Sequence, residues 1–128
     1  MEISLFPLNT VLFPGASMPL HIFEERYKEM IARCLDDGRP FGVVLIRQGN
    51  EVGEPAVPFD IGTTAHIAQV ERLPEGRMNL TCHGGQRFRT VRIVQDVPYL
   101  MGEIELLHTV KEGEGEIRGL AAKAGSLF

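Results

Sequence analysis

The chain has 128 residues, of which 44% are hydrophobic and 23% are charged, as in one soluble globular domain. Its net charge of −4 disfavours a protein that binds nucleic-acid backbones, and its two cysteines exclude a fold held by several disulfides. The 14 glycines and 8 prolines predict frequent turns, and therefore short strands rather than a helical bundle. We expect a cytoplasmic protein with reduced thiols.

Residues 3–23 contain no Asp, Glu, Lys or Arg, which raises the question of a membrane segment. A membrane-spanning helix needs about 20 consecutive apolar residues, whereas three prolines interrupt this stretch. A signal peptide begins with basic residues, and the only early charge here is Glu2. The segment therefore predicts two buried strands, residues 3–8 and 18–22, and no contact with a membrane.

Apolar residues then recur at helical spacing and predict an amphipathic helix over residues 24–37. The predicted buried stripe comprises Phe23, Tyr27, Met30, Ile31, Cys34 and Leu35. Gly38 can adopt the left-handed conformation that ends a helix, and Pro40 cannot continue one. We therefore expect one helix, with its stripe in the core.

The remaining residues to 110 alternate between strand-forming runs and turn signals. The predicted strands are residues 41–47, 63–73, 77–82, 86–97 and 99–110. Residues 48–60 are predicted as a loop, because they include several glycines and prolines. Pro74-Glu75-Gly76 predicts a hairpin turn, and Gly84-Gly85 predicts a second break in the chain. A change in apolar phase after Phe88 predicts a β-bulge.

These elements predict a mainly β (α+β) fold, because strands dominate and do not alternate with helices. We expect a small, partly closed β-barrel over residues 1–110, capped by the helix. Residues 111–128 differ in composition, since an acidic connector, Lys-Glu-Gly-Glu-Gly-Glu, leads into the start of a helical pattern. That segment is too short to bury a helical face by itself.

The sequence contains no motif for nucleotide, metal or covalent chemistry. It has no Gly-Lys pair and hence no phosphate-binding loop, and its lysines lie on the charged helix face or in the C-terminal segment, where no serine–lysine pair would be desolvated. The histidines and cysteines lack the spacing of metal ligands, and Cys82 and His83 should face opposite sides of a strand. We expect no catalysis, no metal site and no cofactor.

The first candidate binding site is an unusually apolar turn. Val11, Leu12 and Phe13 precede Pro14-Gly15, where polar residues are more common. Two interpretations stay open at this point: burial under the barrel against Phe41 and the helix, or an exposed patch for a partner polypeptide. Our prediction is that Leu12 and Phe13 are at least partly exposed beside Phe41.

The second candidate site is basic. Arg87, Arg89 and Arg92 alternate with Phe88 and other residues on a predicted strand, and such a pattern can clamp single-stranded nucleic acid. The alternative is a solvent-facing row of arginines that pairs with acids on neighbouring strands, namely Glu71, Glu103 and Glu105. The acidic balance of the chain favours the alternative.

Several segments together resemble a known family. Residues 5–15, Leu-Phe-Pro-Leu-Asn-Thr-Val-Leu-Phe-Pro-Gly, and residues 19–24, Pro-Leu-His-Ile-Phe-Glu, resemble the opening of the Lon protease N-terminal (substrate-binding) domain. The likeness continues through residues 40–44, 62–65, 70–77 and 85–89, and it spans about residues 2–107. It implies a six-stranded pseudobarrel of the PUA-like kind with a helix.

The resemblance also implies a function, namely non-catalytic recognition of unfolded or degron-bearing polypeptides. We assign this to Val11, Leu12, Phe13 and Phe41, and a PUA-like nucleic-acid-binding module that uses the three arginines is the alternative. In full-length Lon the domain precedes ATPase and serine–lysine protease domains, which are absent from this chain. The parent protein is thus either an ATP-dependent Lon protease or a free-standing domain, and its oligomeric state stays open.

Overall fold

The computed structural model describes residues 1–49, 51 and 57–108. Their elements in chain order are β1 (Glu2–Leu8), β2 (Ser17–Ile22), α1 (Glu25–Asp37), β3 (Phe41–Gln48), β4 (Val57–Arg72), a 3-10 turn (Pro74–Gly76), β5 (Met78–Gln95) and β6 (Met101–Leu106). The predicted connector and helical start at residues 111–128 lie outside the described residues. Within the described residues, no helix has the length and apolar character needed to cross a bilayer.

The six strands form one sheet in the order β2-β5-β4-β3-β1-β6. A further pairing between β5 and β6 joins the two sides of the sheet, so that β5, β4, β3, β1 and β6 close into a ring. β1 and β3 run parallel, and the other pairs are antiparallel. The six-stranded sheet, in which five strands close the ring and β2 pairs with β5 outside it, confirms the predicted six-stranded pseudobarrel with α1 beside it.

β1 lacks charges after its first residue because both of its faces are buried. Ile3 and Leu5 belong to the cluster inside the ring, while Phe6 and Leu8 belong to the larger cluster that includes α1. The rings of Phe6 and Tyr27 stack with their centroids 4.1 Å apart. Two buried faces explain why the N-terminal segment reads as a continuous apolar run.

The predicted helix is confirmed, with small differences at its start. Tyr27, Met30, Ile31 and Cys34 are buried, and Gly38 ends the helix with a φ of 64°. Phe23, by contrast, is exposed, because the helix begins at Glu25 and Phe23 lies before it. The apolar stripe therefore starts one turn later than its spacing predicts.

The cluster inside the ring includes an aromatic side chain, Phe88, which is fully buried. Gly42 and Gly62 border it so closely that an added Cβ at either position would lie 2.6 Å from Phe88 Cζ. The two glycines on β3 and β4 therefore leave the space that the phenyl ring occupies.

Two predicted boundaries are wrong. Gly84-Gly85 does not break the chain, because β5 continues through both glycines. An added Cβ at Gly84 would lie 2.2 Å from the backbone oxygen of Phe13, so the glycine permits close approach of another segment rather than a turn. The predicted loop 48–60 is also too long, since β4 begins at Val57. The predicted β-bulge is confirmed by the register shift between Thr90 and Arg92.

Candidate functional site: an apolar cleft beside residues 9–16

Residues 9–16, which we call the apolar loop, are fixed to the middle of β5 by backbone hydrogen bonds. The amide of Gly15 donates to the carbonyl of Gly84 at 2.8 Å, and the amide of Gly84 donates to the carbonyl of Ala16 at 2.8 Å. Gly15 has a φ of 83°, which a residue with a side chain rarely adopts. The loop is therefore held in one position instead of extending freely into solvent.

The exposure expected of Leu12 is wrong, whereas the exposure expected of Phe13 is confirmed. Leu12 is only 2% exposed because it packs in the larger core cluster, and Phe41 is fully buried in the same cluster, where its ring lies against that of Phe6. Val11 and Phe13 are exposed, Phe13 by 52%. Within the apolar loop, Leu12 is therefore buried in the core, while Val11 and Phe13 face solvent.

Val11 borders a cleft with a volume of about 430 Å³, and Phe13 lies beside it, next to the lining residue Arg87. The apolar loop contributes Val11 and Leu12 to the lining of the cleft. The strands β3 and β4 contribute the apolar side chains of Leu45, Phe59 and Ile61. Phe59 and Ile61 are themselves substantially exposed. The cleft is thus a mostly apolar depression that is open to solvent.

Arg87 connects the two candidate sites, because it lines the same cleft. It is half-buried, and its guanidinium carbon lies 5.6 Å from the centroid of the Phe13 ring. Arg47 does not line the cleft, but its guanidinium carbon lies 5.9 Å from the ring centroid of Phe59, which does. Each contact is of the cation–π kind, worth about 0.5–1 kcal/mol at an exposed site.

The other two candidate arginines are paired with acids on β6. Arg92 Nε donates to Glu103 Oε1 at 2.7 Å, and Arg89 forms an ion pair with Glu105. The hydrogen bond and the charge of Arg92 lower the pKa of the Glu103 carboxyl. These cross-strand pairs confirm the alternative interpretation for Arg89 and Arg92. The third predicted acid, Glu71, instead accepts a hydrogen bond from Asn79.

The cysteines are buried, free thiols. Burial raises the pKa of the Cys82 thiol to about 11, and burial likewise raises the pKa of Cys34. Such thiols are poor nucleophiles at neutral pH. Cys82 is buried while His83 is exposed, which confirms their opposite orientations. Within the described residues, no group of three or more His, Cys, Asp or Glu side chains is arranged to hold a metal ion.

Sequence reasoning missed Phe59, Ile61 and Arg47 as parts of this site. Phe59 lies in the segment predicted as a loop, so the sequence did not predict on which face of the sheet its side chain lies. The alternation of Val57, Phe59 and Ile61 with shorter or polar residues was the available signal for an earlier strand start. Arg47 could not be placed without knowing that β3 and β4 pair near Phe59.

The fold and the cleft can be compared with those of known proteins. The family model described as ATP-dependent protease La (LON) substrate-binding domain matches residues 2–125. Lon protease 2 of Myxococcus xanthus is 30% identical over 112 residues, which are 86% of this chain and 14% of that protein. Lon protease of Porphyromonas gingivalis is 32% identical over 110 residues, which are 84% of this chain and 13% of that protein. The chain thus spans about one-seventh of these relatives.

Two solved structures share the fold. The Lon N-terminal domain protein from Xanthomonas campestris is 33% identical, with a TM-score of 0.76, and the match covers 93% of this chain and 66% of that one. The N-terminal domain of the Mycobacterium avium complex Lon protease has a TM-score of 0.65 at 15% identity, and the match covers 86% and 56% of the two chains. The second match bears on the fold alone.

Proposed function

The chain belongs to the LON substrate-binding domain family, and from this premise we propose that it binds polypeptide segments in the cleft beside the apolar loop. The observation that carries the proposal is the exposure of Val11, Phe59 and Ile61 around a preformed depression. Exposed apolar surface of this kind is typical of protein–protein contact sites. A cleft of about 430 Å³ has room for a few side chains, so the segment is expected to be extended or unfolded.

The fixed position of the apolar loop supports binding. Backbone hydrogen bonds to Gly84 and the burial of Leu12 hold Val11 and Phe13 in place before a ligand arrives. Preorganised surfaces avoid the entropy cost of ordering a loop on binding. We therefore expect micromolar affinity, corresponding to about 8 kcal/mol, with a loose sequence preference. Such a site suits many unfolded or degron-bearing polypeptides.

The proposal includes a non-catalytic role for this chain. The two buried thiols have raised pKa values. As part of a substrate-binding domain family, the chain would leave hydrolysis to other domains of an ATP-dependent Lon protease, or to a separate protein if the parent is a free-standing domain. A cytoplasmic location is part of the same proposal, because free thiols such as Cys34 and Cys82 are usual in a reducing compartment.

The test replaces one exposed aromatic residue beside the cleft. We expect Phe13→Ser to weaken binding of a fluorescent, permanently unfolded polypeptide at least about 5-fold, because the ring that contacts the lining residue Arg87 is lost. The free energy of unfolding should change by less than about 1 kcal/mol, since half of the ring is already exposed. Fluorescence anisotropy measures the first quantity, and urea denaturation measures the second.

Val91→Ser is the matched control, because Val91 is 56% exposed on β5 and does not line the cleft. If Val91→Ser weakens binding and Phe13→Ser does not, the binding surface is at the end of β5 and the proposal is wrong. Single-stranded RNA is a second ligand in the same assay. Binding of RNA alone, abolished by Arg89→Ser and strongly reduced by salt, would support the nucleic-acid alternative instead.

A further inference from the structure

Arg87, which lines the cleft, and Arg47, which contacts the lining residue Phe59, differ from the arginines that pair elsewhere on the barrel. Resting on the proposed function, we infer that the cleft prefers extended segments in which apolar side chains are flanked by acidic ones. Arg87 and Arg47 would bind the flanking carboxylates, while Phe59, Ile61 and Val11 would contact the apolar residues between them. The site would thus select extended polypeptides of this class.

The first step is the availability of the two guanidinium groups. Among the described residues, the arginines in ion pairs are Arg26, Arg89 and Arg92, and each is paired with a glutamate. Within the same residues, neither Arg87 nor Arg47 makes an ion pair; each is instead placed over an aromatic ring. A guanidinium that contacts a ring and makes no ion pair still has N–H groups to offer, from which a carboxylate can accept two hydrogen bonds.

The second step is the spacing. Thr63 of β4 lines the cleft and is paired with Arg87. Phe59, which contacts Arg47, lies four residues before Thr63 on the same strand. At about 3.3 Å per residue, the two positions are roughly 13 Å apart along the strand. Arg47 lies on β3 and Arg87 on β5, so a segment that reaches both also crosses β4, and the side chains of acidic residues four positions apart can reach across this separation. The residue midway between the two acids shares their face of the extended peptide and would contact the middle of the cleft.

The third step is the charge inside the cleft. Asp60 also lines it, between the two positions on β4. Its carboxylate would repel an acidic residue at the centre of a bound segment, and it would attract a basic one. The arrangement therefore favours acids at the two ends only. The competing outcome is a preference for basic flanks. It would follow if the attraction of basic residues to Asp60 outweighed the attraction of acidic residues to the two arginines.

The experiment compares three peptides with the same apolar centre in Gly/Ser flanks: Glu-Leu-Phe-Leu-Glu, Gln-Leu-Phe-Leu-Gln and Lys-Leu-Phe-Leu-Lys. We expect the full chain to bind the glutamate peptide about 5- to 10-fold more tightly than the glutamine peptide at low salt, because two charge-assisted hydrogen bonds are added. High salt should remove most of this difference and leave the affinity for the glutamine peptide nearly unchanged. Anisotropy with each labelled peptide gives the dissociation constants.

Arg87→Gln and Arg47→Gln should each reduce the preference for glutamate over glutamine, and thermal unfolding shows whether each variant is folded. Arg92→Gln is the matched control, because Arg92 is exposed and already paired with Glu103. It should leave the preference unchanged.

Equal binding of all three peptides, or tighter binding of the lysine peptide, would overturn the inference while the proposed function stands. No binding of any peptide or unfolded protein would overturn the proposed function itself. If Arg92→Gln removes the glutamate preference and the two cleft variants keep it, the acidic ligand binds on the β5–β6 face and the inference is wrong.

Discussion

β4 borders two regions of the molecule: in one the apolar side chains are buried, and in the other they are exposed. Inside the ring, Phe88 is completely buried against Gly42 and Gly62, and an added methyl group would overlap it. Outside, Phe59 and Ile61 of the same strand stay partly exposed beside an open cleft. The two regions lie within a few residues of each other, yet one has no free space and the other has space for a ligand.

The difference indicates that stability and binding depend on different faces of one sheet. Truncation of a large side chain in a closely packed interior lowers the free energy of unfolding by several kcal/mol, because a cavity remains. Exposed side chains contribute little to folding and are available for a partner. Substitutions should therefore separate the two properties, and that expectation can be tested from either face.

The largest effect is expected from a pair of matched truncations. Phe88→Ala should lower the free energy of unfolding by about 3–5 kcal/mol, because it empties the centre of the ring. Phe59→Ala removes the same group from the cleft and should cost less than about 1 kcal/mol, since the ring is already exposed. Urea denaturation of both variants measures the difference. Similar losses for the two would contradict the separation of the faces.

A smaller effect is expected from pH, at the core cysteine. The pKa of Cys82 is raised by burial from 9.0 to about 11, so the folded state favours the neutral thiol. Its contribution to stability is complete below pH 9 and is lost as the pH rises towards 11. The wild-type chain should therefore lose more stability over this interval than Cys82→Ala does. Equal losses, measured by denaturation at each pH, would show that Cys82 is not desolvated.

Features that depend on neighbouring residues in the chain could be predicted from sequence. α1 follows from apolar spacing and from Gly38, both local signals, and the β-bulge follows from a phase change within one strand. The family resemblance adds the closed six-stranded arrangement. These predictions are correct because helix ends and strand faces are set largely by the residues that form them.

Features that depend on a distant segment could not be predicted. Gly84 signals a turn by itself, and its role in β5 is understood only when the backbone of Phe13 is seen against it. Leu12 and Phe13 are equally apolar, and only tertiary packing decides that the first is buried and the second exposed. The roles of the arginines likewise follow from register, since β6 supplies acids to Arg89 and Arg92.

The most direct test of the cleft as the binding site is a nuclear magnetic resonance titration of the isotope-labelled chain with the glutamate peptide. We predict that resonances of Val11, Phe13, Phe59, Ile61 and Arg87 shift with a common dissociation constant, while those of Val91 and Arg92 change little. Val11, Phe59, Ile61 and Arg87 line the cleft and Phe13 contacts Arg87, whereas Val91 and Arg92 lie elsewhere on β5. Shifts confined to Val91 and its neighbours, with none at Phe13 or Phe59, would contradict the account.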